Sequence, residues 1–139
     1  KQYISIPPAS ETITPDYVGK MVIESMWFVS QWSGDFNPFH IHEGQLSGVF
    51  YLRVPPSLPE EYAQEDHYPT VGDIVWFDGR ASTFSGHKFQ HSPEVGDIFL
   101  FPNWLAHGVY PFRTKNEERR SVSFNLHLIK KEEEKQLLK

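Results

Sequence analysis

From Arg119 to Ile129 the chain alternates with a period of two. Val122, Phe124, Leu126 and Leu128 fall on one side; Arg119, Ser121, Ser123, Asn125 and His127 fall on the other. This is the repeat of an extended strand, in which residues two apart share a face. One face of such a strand packs against a second sheet, and the other meets either solvent or a polar cavity. Other short apolar runs read as strands too: Met21 to Trp32, Gln45 to Val54, Asp73 to Phe77, His87 to His91, Asp97 to Phe101 and His107 to Phe112, with Lys1 to Ile6 a weaker edge strand. Eleven Pro and nine Gly punctuate them, which favours strands and turns over long helices. Ser33-Gly34-Asp35 and Arg113 to Glu118 read as turns, and Glu60 to Pro69, after the proline-rich Pro55 to Pro59, as a loop. Val-Gly-Asp-Ile occurs twice, at Val71 and at Val95, each time as a tight turn into a strand. About seven or eight short strands at this spacing predict an all-β jelly roll with little helix.

The 139 residues suffice for one domain, 1–139, with Lys130 to Lys139 as a charged tail or short helix. The net charge of −5 argues against nucleic-acid binding, which calls for a basic face. There is no cysteine, so disulfide and thiolate chemistry are excluded, in keeping with a cytoplasmic location. No apolar run approaches the roughly 18 residues of a membrane span, and no signal peptide is visible. The sequence begins at Lys1 rather than Met, as a trimmed or partial chain does.

His40 and His42 are separated by one residue and lead into the Leu46–Leu52 strand. On an extended chain both rings reach the same side, as a metal ion requires. His107 follows a strand and a Pro-containing turn and is the third candidate ligand. Imidazole suits iron, zinc, copper and nickel alike, so these residues do not name the metal. His67, His87, His91 and His127 read as structural. Arg119 heads the polar face of its strand. If that face lines a cavity, its guanidinium can hold a carboxylate by a bidentate fork. Ser121 is a further donor two residues on, and Tyr51, expected on the histidine-bearing sheet, a third.

His40-x-His42, Leu46 to Leu52, Gly96-Asp97 to Pro102, His107 and Arg119-x-Ser121 through Asn125 together resemble a phage and bacterial group of 2-oxoglutarate/iron(II)-dependent oxygenases. The group is similar in outline to the prolyl-hydroxylase branch of that superfamily, and the resemblance runs from about Trp27 to Leu126. It implies a double-stranded β-helix, a mononuclear Fe(II), 2-oxoglutarate as cosubstrate, and O₂. It also implies that His40 and His107 are metal ligands and that Arg119, with Ser121 and Tyr51, binds the far carboxylate of 2-oxoglutarate. His42 departs from the pattern, because most of the superfamily has Asp there. The centre is then either three-histidine or takes its carboxylate elsewhere; Glu43 is nearest but points away on an extended strand. The implied substrate is a protein or peptide side chain such as proline, with 60–69 and 79–93 walling the entrance.

Two other readings use the same residues. Gly34-x₅-His40-x-His42 and Gly96-x₅-Pro102 leading to His107 are also similar to the two cupin motifs, which would make the chain a metal-dependent enzyme or binding module without 2-oxoglutarate. Cupins carry Glu four or five residues after the second histidine, where this chain has Leu46 and Ser47, and Trp104 replaces the Gly of the second motif. That reading leaves Arg119 and Ser121 without a role. A non-catalytic interaction protein is the third, served by the 15% aromatic content. Metal content separates the third from the others, and succinate formation separates the first two.

Overall fold

The computed structural model describes residues 18–64, 69–79 and 86–131. Eight strands and one short helix follow in chain order among the described residues: β1 (Val18–Gln31), β2 (Asn37–His40), β3 (Leu46–Arg53), α1 (Leu58–Tyr62), β4 (Ile74–Phe77), β5 (Lys88–His91), β6 (Ile98–Pro102), β7 (Ala106–Val109) and β8 (Arg119–Lys130). They form two antiparallel four-stranded sheets, ordered β1-β8-β3-β6 and β2-β7-β4-β5. This is the expected jelly roll, the double-stranded β-helix. The expected strand at Lys1 to Ile6 and most of the charged tail lie outside the described residues. No helix among those described is long and apolar enough to cross a membrane.

The long alternating strand, β8, is central in its sheet, and its polar side faces inward. Arg119, Ser121 and Asn125 are buried, whereas Val122 and Phe124 are only half-buried. On that outer side the Phe124 ring lies over Gly48, where an added Cβ would collide with it. Its neighbours Met26, Phe28, Ile98 and Leu100 are exposed. The core comes instead from Val49, Tyr51, Ile74, Trp76, Phe101, Leu105 and Val109, drawn from both sheets. Apolar residues are thus found on both sides of this sheet, and a polar row is left for the interior.

Two segments depart from the sequence reading. Residues 58–62 are helical rather than loop. Pro59 sits in the first turn, where its missing N–H is not needed. Leu58 packs with Val71 and Phe112, and the Glu61 carboxylate accepts bonds from the backbone N–H groups of Arg113 (2.6 Å) and Thr114 (3.0 Å). The strand expected at His107 to Phe112 stops at Val109, because Pro111 cannot donate to a ladder. The repeated Val-Gly-Asp-Ile behaves as read. Asp73 and Asp97 each donate their N–H back three residues, to Thr70 (3.0 Å) and Glu94 (3.1 Å). The preceding glycines have φ of +67° and +95°.

Gly72 ties this turn to β8, since its carbonyl accepts from Arg119 Nη1 at 2.7 Å. A Cβ there would force a left-handed conformation on an L-residue and would meet Leu58 Cδ1 at 3.0 Å. Gly72→Ala is expected to lower unfolding stability by about 1–2 kcal/mol, read as a lower urea midpoint. A midpoint equal to the wild type's would show that this turn does not constrain the fold.

Candidate active site

The cavity between the sheets is lined on one side by β1, β3 and β8 and on the other by β2, β4 and β7. Register delivers its chemistry. His40, the last residue of β2, pairs with His107 on β7. The sequence reading had placed His40 and His42 together on the strand leading into Leu46. Instead β2 ends at His40, and His42 lies in the bend that follows. There the His42 N–H donates to the Asn103 carbonyl (3.0 Å), and Asn103 Nδ2 donates back to the His42 carbonyl (3.2 Å). This clamp, rather than strand parity, turns the ring inward.

His40, His42 and His107 each offer a nitrogen within 4.8 Å of the others. His40 Nδ1 donates to the Pro38 carbonyl at 2.6 Å, and His107 Nδ1 to the Leu105 carbonyl at 2.9 Å. A carbonyl can only accept, so both Nδ1 atoms carry a proton, and in the neutral ring that leaves the Nε2 lone pair free for a metal. His40 Nε2 and His42 Nε2 stand 3.1 Å apart. Adjacent nitrogens of an octahedral centre, each about 2.1 Å from the ion, would be about 3 Å apart. The His42 ring is stacked between Trp27 (5.4 Å) and His107 (5.0 Å). Burial, and then the charge of His40, lower its pKa, against a side-chain hydrogen bond with Asn125. Burial pushes His107 down to about 4. The donor set therefore fits a divalent metal that takes imidazole, through three neutral ligands.

Deeper in, Arg119 is 2% exposed. Its Nη1 donates to Gly72 and its Nη2 to the Tyr51 hydroxyl at 3.2 Å. Its Nε is buried without a hydrogen-bond partner, a donor that an anion in the cavity would satisfy. Burial lowers the guanidinium's pKa, and Tyr51 and Asp73 oppose this. Burial raises the Tyr51 pKa, so it stays a phenol. Its oxygen accepts from Arg119, leaving its own proton to give. Tyr51 belongs to β3, beside β8 and opposite the histidine-bearing sheet, which corrects the sequence placement. Ser121 pairs with Tyr51 and lines the cavity. Among the described residues no carboxylate lines it. Arg120 points outward, its Nη2 2.8 Å from Glu118, which also holds Arg53 at 2.9 Å. A bond from Ser30, then Arg120 and Arg53, keeps the Glu118 carboxyl below its usual range against burial.

Sequence reasoning missed Asp73 as a charge near Arg119. It is buried and held by Gln90 Nε2 (2.6 Å) and Ser92 Oγ (2.5 Å). Its only signal was the repeated turn motif. Trp27 and Asn103, which frame His42, left no signal beyond their residue types. Of the histidines read as structural, His91 pairs with Asp97 at 2.9 Å, His87 and His127 are exposed, and His67 lies outside the described residues. So do 65–68 and 80–85, part of what was read as entrance walls.

A His107 pKa near 4 against an ordinary 6.5 carries a sign. The native state binds fewer protons than the unfolded chain between these values, so stability is complete above about 6.5 and falls as pH drops toward 4. Metal-free protein is expected to lose about 3 kcal/mol across that window on this account, measured by urea unfolding at stepped pH. His107→Gln should flatten the slope; an unchanged slope would assign it to other groups.

A family model described as "Putative 2OG-Fe(II) oxygenase" matches residues 25–125. No curated protein matches. Among solved structures, an oxidoreductase of the 2OG-Fe(II) oxygenase family from Burkholderia pseudomallei is similar with a TM-score of 0.58 at 15% identity, over 78% of this chain and 45% of that one. A Pseudomonas putida prolyl-4-hydroxylase is similar with a TM-score of 0.53 at 19% identity, over 79% of this chain and 52% of that one. At such identities the likeness shows the fold alone, and the chain spans about half the length of both. The family match is of another order, running from β1 to β8 and so through both sheets, and by it the chain belongs to the 2OG-Fe(II) oxygenase family.

Proposed function

We propose that the protein is a 2-oxoglutarate- and Fe(II)-dependent dioxygenase whose metal is held by His40, His42 and His107. One observation carries this reading. The cavity that gathers three imidazole nitrogens also contains a buried guanidinium with an unused N–H and has no carboxylate in its described lining. Such a space suits a small dianion that reaches from a metal to a cation, as 2-oxoglutarate does. When bound, the iron and the cosubstrate supply oxidative decarboxylation to succinate and CO₂, coupled to O₂ and to hydroxylation of a substrate.

The chain's own residues bind, orient and exclude water. Arg119 offers Nε and Nη2 to the distal carboxylate, Tyr51 gives its hydroxyl proton, and Ser121 adds a donor. Gly72 and Tyr51 hold the guanidinium still, so little ordering is left to be done on binding. His42 stands where the family pattern has Asp, and we take it as the third ligand, giving a centre with no ligand charge. The cupin reading leaves this Arg119 arrangement unexplained.

For substrate, the prolyl-4-hydroxylase among the similar structures supports a protein or peptide side chain such as proline. The exposed Ile41 and Trp104, on the two segments joined by the His42–Asn103 clamp, would give it an apolar edge. We read 1–139 as one domain and place it in the cytoplasm, in keeping with the lack of cysteine.

His107→Ala should abolish Fe(II) binding by the purified protein; full affinity in that variant would refute the ligand assignment. Arg119→Ala should weaken 2-oxoglutarate binding to Co(II)-loaded protein at least about tenfold, the loss of a charge-assisted hydrogen bond, while Arg120→Ala leaves it unchanged. Wild-type protein that binds metal but neither binds 2-oxoglutarate nor forms succinate would return the chain to the cupin reading.

A further inference from the structure

We propose that Gln31 is a further binding residue of this cavity, a donor beside Arg119 to the far carboxylate of a bound dicarboxylate. The proposal rests on the cosubstrate reading above and concerns the anionic end of that ligand. The two faces of β1 differ. Met26 and Phe28 are exposed, whereas Trp27, Val29 and Gln31 line the cavity. Gln31 is the residue of β1 that pairs with Arg119 of β8. Residues paired in this way put their side chains on the same face, with Cβ atoms about 5 Å apart. Tyr51, on β3, stands on the other side of Arg119, its ring centroid 5.1 Å from the guanidinium carbon. Within one sheet the cation is thus flanked by a phenol and an amide.

The phenol is engaged and the amide is not. Gln31 is 6% exposed, and among the described residues no hydrogen bond reaches its side chain. A buried amide without partners costs stability, and an apolar residue, as at Val29, would avoid that cost. Arg119 Nε is in the same condition on the neighbouring strand. The amide oxygen of Gln31 could answer it, yet the two groups are left apart. A ligand that meets Nε must accept there, because Nε can only donate, and the same acceptor draws the amide with its NH₂ forward. An ionised carboxylate accepts about four hydrogen bonds, enough for one from Gln31 beside those of Arg119, Tyr51 and Ser121. With no carboxylate in the described lining, these donors are kept for a bound anion. A neutral donor next to a fixed cation adds direction without charge, and so holds the far carboxylate in one rotation.

Three affinities test this on the intact chain: that for Co(II), and those of the Co(II)-loaded protein for 2-oxoglutarate and for succinate. Gln31→Met keeps the length of the side chain and removes its donors. It should leave Co(II) binding unchanged and weaken 2-oxoglutarate binding about tenfold or more, the usual loss of a hydrogen bond to a charged group. Gln31→Glu keeps the shape but offers Arg119 an internal carboxylate and repels the ligand, so it should bind 2-oxoglutarate more weakly still. The proposal is overturned if Gln31→Met binds 2-oxoglutarate as the wild type does, or if it loses Co(II) in the same proportion, which is the mark of packing alone. Should both variants fail to fold, NMR of the Zn(II)-loaded wild type decides. A shift of the Gln31 side-chain ¹H–¹⁵N signals on adding 2-oxoglutarate supports the proposal, and unmoved signals overturn it. A wild type that binds succinate with this dependence on Gln31, but not 2-oxoglutarate, would refute the cosubstrate reading and leave Gln31 as a carboxylate donor. Equal 2-oxoglutarate binding by wild type and Gln31→Met would do the reverse, and a wild type that binds neither dicarboxylate overturns both.

Discussion

A guanidinium buried to 2% exposure is the constraint around which this structure is arranged. Removing a cation from water is tolerable only if its hydrogens are met and its charge is answered. Here Gly72 and Tyr51 meet two of the donor nitrogens, and the Asp73 carboxylate acts on the charge from beyond the cavity wall. The turn at Thr70 to Asp73, the phenol on β3 and the inward polar row of β8 all serve this one group. On the other side of the strand, Arg120 and Arg53 meet at Glu118 in partial contact with water. A single step along β8 thus separates a cation committed to the interior from one left at the surface.

The histidine centre follows a different logic. Burial disfavours the charged forms of His42 and His107, and neutral imidazoles are what a metal ion requires. Two of the three rings are oriented by their own backbone and the third by contacts from elsewhere in the chain. With no ligand carboxylate, this centre leaves a bound divalent ion more positive than the usual two-histidine-one-carboxylate set. On the proposed reading that would favour anionic co-ligands, and a bound dianion would rest on two cationic supports, the ion and Arg119.

Part of this was legible in the primary sequence. The period of two from Arg119 to Ile129 is a local property of extended backbone, and it sorted Arg119 from Arg120 onto opposite faces without any knowledge of partners. The Val-Gly-Asp-Ile turns were legible for the same reason, since a glycine before a strand reports a backbone angle that needs no tertiary contact. The short helix at Leu58–Tyr62 was missed because five residues carry too little periodicity, and its stability comes from Leu58 packing on Phe112 and from Glu61 reaching Arg113 and Thr114. The end of His40's strand was missed as well. The His-x-His spacing suggested one strand, whereas a bend held by Asn103 achieves the same convergence.

By itself, then, the sequence determined which segments would be strands, which face of β8 was polar, and which residue types were at hand for metal and carboxylate. These depend on interactions within a few residues. Only the tertiary structure decided that His107 would pair with His40 and that Tyr51 would stand beside Arg119 and across from the histidines. The two pairs join residues 67 and 68 positions apart. Their meeting is set by strand order and register, which the alternating pattern permits in many combinations. Packing two sheets around one core selects a single one.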